Sequence, residues 1–123
     1  MKYVSTDKAP QAIGPYSQAV ISGGFVYTSG QIAINPASGN VEGATIEEQT
    51  ELVCINIENL LKAAGTDISK VVKTVCFLAD MNDFARFNEV YAKHFVSKPA
   101  RSCVAVKTLP KNVLVEIDTV TEL

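Results

Sequence analysis

Residues 45–65 admit one conformation, and the rest of the chain must fit around it. Thr45 precedes Glu48 by three residues, a hydroxyl and a carboxylate spaced to serve the free N–H groups of a first helical turn. Ile46, Val53, Ile57, Leu60, Leu61 and Ala64 then recur at helical spacing, and Gly65 offers the left-handed residue at which helices end. The segment is therefore an amphipathic helix whose apolar stripe needs a cover. The flanking sequence supplies strands. Ala19–Ser22 and Phe25–Ser29 are β-branched and aromatic runs split by Gly23-Gly24, which predicts a hairpin. Val71–Leu78 is a strand by composition, so strand, helix and strand suggest a crossover unit.

The remaining elements follow the same logic. A short strand is expected at Tyr3–Ser5, and Gly14-Pro15 and Ala37–Asn40 read as loop and turn. Asp80 is a suitable cap for a second helix, with Asp83 in its first turn. Phe84, Phe87, Tyr91 and Phe95 run along that helix at core spacing. Pro99–Val104 and Val113–Asp118 are extended runs, with Leu109–Asn112 between them as a turn led by Pro110. This predicts a closing hairpin. The sum is a single α+β domain over residues 1–123, with two helices on one face of a mixed sheet. Two helices cannot cover both faces, so the bare face calls for a neighbouring subunit.

Composition narrows the chemistry. With 123 residues, 47% of them apolar, one core suffices, and the apolar share is high enough to hint at buried intersubunit surface. The net charge is −2 and no basic block stands out, which argues against a nucleic-acid partner. No apolar run is long enough to span a membrane, and the first residues lack a signal-peptide core, so the expected location is the cytoplasm. Cys54, Cys76 and Cys103 are odd in number and widely spaced, and His94 is the sole histidine. A zinc site, a disulfide framework and a histidine-activated nucleophile are all disfavoured, so no metal is expected. The chemistry left to the chain is that of carboxylate, guanidinium, hydroxyl and backbone groups.

The predicted closing hairpin assembles such a set. Centred on Pro110 and Lys111, it places Arg101 opposite Val120, Cys103 opposite Asp118 and Ala105 opposite Glu116. Side chains alternate along a strand, and cross-strand partners share a face. Arg101, Cys103 and Glu116 would then project together, with Asp118 in reserve. That set can hold a small organic acid and position a water. Cys103 lacks an activating partner and reads as a wall residue. For Tyr16, Gly30 and Asn88 the residues alone leave two readings open: a covered core edge or a pocket wall, a bend or a close ligand approach, an exposed amide or a ligand contact.

Four separated motifs carry a resemblance. Ala12-Ile13-Gly14-Pro15-Tyr16-Ser17-Gln18-Ala19, Thr28-Ser29-Gly30-Gln31-Ile32, Met81-Asn82-Asp83-Phe84 through Asn88, and Pro99-Ala100-Arg101-Ser102-Cys103-Val104 together resemble the RidA (YjgF) family. The resemblance runs the length of the chain. It implies a chorismate-mutase-like fold and a homotrimer with a central barrel and clefts between subunits. It also implies hydrolysis of reactive 2-imino and enamine acids, such as 2-iminobutanoate and 2-iminopropanoate, to 2-oxo acids and ammonia, without a cofactor. In that role Arg101 would bind the substrate carboxylate and Glu116 would handle water. Tyr16, Ser29, Gly30, Asn88 and Cys103 would line the pocket, with Tyr16 and Asn88 reaching it from across the subunit boundary. A non-catalytic trimer that binds small carboxylates or 2-oxo acids as a sensor or partner module is the alternative. The stretch from Tyr91 to Pro99 is shorter than in the family's bacterial members.

Overall fold

The computed structural model describes all 123 residues. In chain order the strands and helices are β1 (Lys2–Val4), β2 (Ala19–Ser22), β3 (Phe25–Thr28), β4 (Ile34–Asn35), β5 (Asn40–Val41), α1 (Ile46–Ala64), β6 (Val71–Leu78), α2 (Phe84–His94), β7 (Ala100–Ala105) and β8 (Val115–Glu122). The six longer strands form one sheet in the order β1-β2-β3-β8-β6-β7, and β4 and β5 pair apart from it. No helix is long and apolar enough to cross a membrane.

Local chemistry sets the element ends. The Thr45 hydroxyl accepts the Glu48 N–H at 3.2 Å, and at the far end the Gly65 N–H reaches back to Leu61 and Lys62 with φ +96°. Asp80 caps a single 3₁₀ turn, Met81–Asp83, and α2 follows directly from Phe84. Gly23 and Gly24, at φ +59° and +83°, make the tight turn between β2 and β3.

Both helices pack on one sheet face. Val53, Ile57, Leu60 and Leu61 of α1 and Phe87 and Tyr91 of α2 meet Val26, Cys76, Leu78, Val115 and Ile117 of the sheet. Leu60 is fully buried, so Leu60→Ala would cost about 2–5 kcal/mol through lost burial and the cavity left behind. The other face carries Val75, Phe77, Val104, Val120 and Tyr27, none of them buried and two of them exposed. Lys73, Glu116 and Asp118 stand on this face too, and it is the face that the two helices leave uncovered, as the sequence led one to expect.

The closing hairpin is not formed. β7 runs parallel to β6, and β8 lies antiparallel on the other side of β6, so β7 and β8 never pair. Helix α2 is a crossover that delivers β7 beside β6, as the handedness of strand–helix–strand units favours. The connection to β8 then passes over β6 through a 3₁₀ turn at Pro110–Asn112, where Lys111 and Asn112 both stand at φ +55°. Neighbouring strands in sequence are not neighbours here, because β6 is flanked on both sides before the chain ends.

Candidate functional site

The corrected topology changes which side chains meet. Arg101 is in register with Thr74, and Thr74 with Thr119; Cys103 is in register with Cys76 and Ile117. These residues share the helix-facing side. Glu116 is in register with Phe77, and Asp118 with Val75, on the opposite side. Arg101 and Cys103 therefore do not share a face with Glu116. The expected facing pairs Arg101 with Val120, Cys103 with Asp118 and Ala105 with Glu116 are absent, because β6 intervenes. The candidate residues fall into two half-sites.

The first half-site lies between α2 and the edge strand β7. The Arg101 guanidinium donates to Asn88 Oδ1 at 2.8 Å. It sits over the rings of Tyr91, Phe84 and Phe87, at 4.8, 5.4 and 5.9 Å from their centroids. The Tyr91 ring is itself fixed, with its hydroxyl 2.7 Å from the buried Thr74 hydroxyl and its face stacked on Phe95. No carboxylate approaches the guanidinium within 4.0 Å. A cation held by rings and one amide keeps most of its five donors free, which suits bidentate capture of a carboxylate. Asn88 thus stands on the same chain as Arg101, and not across a boundary from it. The aromatic stripe read from sequence as core is also the seat of the cation. Only its proximity to Asn88 on the helix signalled this.

Cys103 borders the same half-site and is half-buried. Burial raises its thiol, and Arg101 offsets this only in part. The thiol stays protonated near neutrality, which fits a wall and not a nucleophile. Burial likewise pushes the Cys76 thiol up to about 12. His94 faces Glu51 of α1, its Nε2 2.8 and 2.9 Å from the two carboxylate oxygens. The sole histidine is engaged in joining the helices.

The second half-site lies where the 12–18 loop and residues 29–31 meet β8. Gln31 and Ile117 exchange backbone hydrogen bonds at 2.8 and 3.1 Å, which carries Gly30 up against Glu116. A Cβ added at Gly30 would stand 2.3 Å from Glu116 Oε2 and 3.0 Å from its Cγ, so the carboxyl lies where only glycine leaves room. The Gly30 N–H makes no hydrogen bond within the chain and is a free donor. The Ser29 hydroxyl donates to Ser17 O at 2.6 Å, and the Ser29 N–H to Gln18 O at 2.9 Å. Ser29 therefore ties the loop to β3 and has already committed its one proton. Burial raises the Glu116 carboxyl above its ordinary range, and the like charge of Asp118 two residues on adds to it. Burial raises Asp118 as well.

Tyr16, half-exposed, and Glu116 both line a cavity of about 220 Å³. Ile13, Ile32, Ile34, Pro36 and Pro110 supply its apolar walls; Ile13 and Ile32 stand in the quoted motifs, but nothing in the sequence assigned them to a pocket. In one chain the guanidinium and the carboxyl point to opposite sides of the sheet. Either half alone can bind an anion or move a proton.

The chain is similar to known proteins over its full length. Residues 6–123 match the model of the family described as endoribonuclease L-PSP. A Lactococcus lactis protein named as a candidate regulator, AldR, is 51% identical and aligns over 100% of this chain and 98% of its own length. The 2-iminobutanoate/2-iminopropanoate deaminase of Bos taurus is 47% identical over 97% of this chain and 88% of its own. Among solved structures, E. coli TdcF with bound serine superposes with a TM-score of 0.94 at 40% identity, over 100% of this chain and 99% of that one. By model and by relatives, the chain belongs to the endoribonuclease L-PSP family, which includes proteins named as RidA and as reactive intermediate deaminases.

Proposed function

We propose that this protein hydrolyses 2-imino acids and their enamine tautomers to 2-oxo acids and ammonia, at sites completed between copies of the chain in a closed trimer. The observation that carries the reading is Arg101: a half-buried guanidinium braced by three rings and Asn88, with no acid to neutralise it. Such a cation is a prepared seat for a carboxylate. The bare apolar sheet face supplies the surface through which copies would join, and the separation of the two half-sites gives that joining a purpose.

The chemistry then divides between the halves. Arg101 takes the substrate carboxylate, with Cys103 as a wall, and the Gly30 N–H of the adjoining copy adds a donor. The protonated imine carbon is electrophilic and lies toward Glu116. Glu116 removes a proton from water as its oxygen bonds to that carbon, giving a carbinolamine. The proton passes to nitrogen, the C–N bond breaks as the hydroxyl proton moves to the departing ammonia and the C=O forms, and 2-oxo acid and ammonium leave. Glu116's raised carboxyl is better matched to this exchange near neutrality than an ordinary one. Tyr16 closes the pocket. Orientation contributes most of the acceleration, because free imines already hydrolyse in water.

The Lactococcus relative is named as a regulator, which favours one other reading: a regulator that would use Arg101 to bind a small carboxylate. Arg101 would serve both, but only catalysis needs Glu116. The family's endoribonuclease label has less support here, given a net charge of −2 and no basic cluster. The test is an assay in which a serine or threonine dehydratase generates the imine and semicarbazide competes for it. Wild type should speed 2-oxo acid release, and Arg101→Ala and Glu116→Gln should not. Absence of acceleration by wild type, with retained binding of 2-oxo acids, would replace the deaminase by the regulator.

A further inference from the structure

We infer that the apolar cavity beside Glu116 receives the side chain of the imino acid, so that branched aliphatic and aromatic 2-imino acids are preferred over the methyl-bearing one. This rests on the deaminase reading and names its substrate class.

The argument starts from the shape of the substrate. The imine carbon is planar, with three substituents pointing away from one another. With the carboxylate directed to Arg101 and the nitrogen in reach of proton exchange, the third direction belongs to the side chain. The cavity opens beside the carboxyl and glycine that flank the reacting carbon. Its volume of about 220 Å³ far exceeds the needs of a methyl group. An apolar cavity of about 150 Å³ is enough to hold benzene.

Its walls decide the chemistry. Ile13, Ile32, Ile34, Pro36 and Pro110 are hydrocarbon. The Gln18 amide is spent: it accepts from Thr6 N and donates to the carbonyls of Thr6, Ala9 and Pro10. Gln31 donates its amide to Ser29 O, and its unpartnered Oε1 is sealed from any open space. The only charges on the walls are Glu116 and Lys111. Gln11 and Tyr16 are the other polar lining residues, and against the five hydrocarbon walls an apolar side chain gains the burial of its surface. A second carboxylate would exchange water for apolar walls and the neighbourhood of Glu116.

The test uses the full-length protein and an L-amino-acid oxidase, with catalase, to form imines from leucine, phenylalanine, alanine and glutamate in the presence of semicarbazide. Leucine- and phenylalanine-derived imines should show kcat/KM at least about tenfold above the alanine-derived one, because each methylene in an apolar pocket is worth about tenfold or more. Ile34→Phe narrows the cavity and should lower the leucine-to-alanine ratio at least about fivefold. Ile13→Phe does the same from a position 78% exposed, where folding is not at stake. Equal or greater activity on the alanine-derived imine, or a ratio that neither variant moves, overturns the side-chain pocket while the deaminase reading stands. No acceleration of any imine overturns both.

Discussion

The two half-sites solve different problems. On the α2–β7 side every contact serves to fix Arg101: three rings beneath it, Asn88 at its edge, and Thr74 holding Tyr91 in place. On the Glu116 side the contacts fix the backbone and leave the functional groups free. Ser29 and Gln31 tie their segment to the 12–18 loop and to β8, while the Gly30 N–H is unpaired and the Glu116 carboxyl lies against Gly30 on the wall of the cavity. A carboxylate seat gains from rigidity, since a preset fork loses less entropy on binding. A group that must take up and release protons gains from being unpaired and partly desolvated. On the proposed reading, binding and chemistry fall to separate faces of the sheet, and the difference in their contacts suits each face to its task.

Variants can break or sharpen that contrast. Glu116→Gln should have the largest effect, lowering kcat by about 10²–10⁴ while 2-oxo acid binding, read by calorimetry, persists. Arg101→Ala should instead abolish that binding. Gly30→Ala comes next. Its methyl would displace the Glu116 carboxyl, and the expected loss is about 10²-fold in kcat/KM with little change in melting temperature, because the neighbour is a movable side chain. Tyr91→Phe acts on the other half. It frees the ring from Thr74 and should raise KM more than it lowers kcat, at about 1 kcal/mol of stability for the lost buried hydrogen bond. An equal effect on kcat alone would blur the division.

The smallest effect is on pH. Glu116 acts as a base only when ionised, so the rate falls as pH drops through its folded pKa, which lies above the ordinary carboxylate range. Burial is the larger cause and Asp118 the smaller. Asp118→Asn should therefore move the acid limb of the pH–rate profile to lower pH without returning it to the ordinary position. Stability runs the opposite way with pH. A carboxyl whose pKa is raised by folding favours the folded state at low pH, and that contribution is lost as pH rises through the folded value. Asp118→Asn should thus stabilise the protein slightly at neutral pH and not in acid. An unmoved profile would remove Asp118 from the account.

Much of the fold was legible because local chemistry and pattern agreed. Thr45, Glu48 and Gly65 bounded α1, and the glycine pair made the β2–β3 turn. The strand order was not legible. A proline-led turn between two apolar runs is compatible with a hairpin, and nothing local to residues 99–118 reveals that β6 separates them. The site inherited that error. Arg101 and Glu116 were singled out from the residues, Asn88 and Gly30 only through the resemblance, and grouping Arg101 with Glu116 required a register that only the whole sheet decides. The aromatic seat was hidden for a different reason. Phe84, Phe87 and Tyr91 serve core and cation with the same spacing, so periodicity could not distinguish the two uses.

The central claim is that each site takes Arg101 from one copy and Glu116 from another. It is tested most directly by mixing two inactive variants, Arg101→Ala and Glu116→Gln, after unfolding and refolding them together at equal amounts. If the halves come from different copies in a closed ring, random assembly makes about one site in four intact, and about a quarter of wild-type activity should return. If the mixture stays as inactive as its parents while wild type refolded alongside recovers, both groups act from the same copy and the account is wrong.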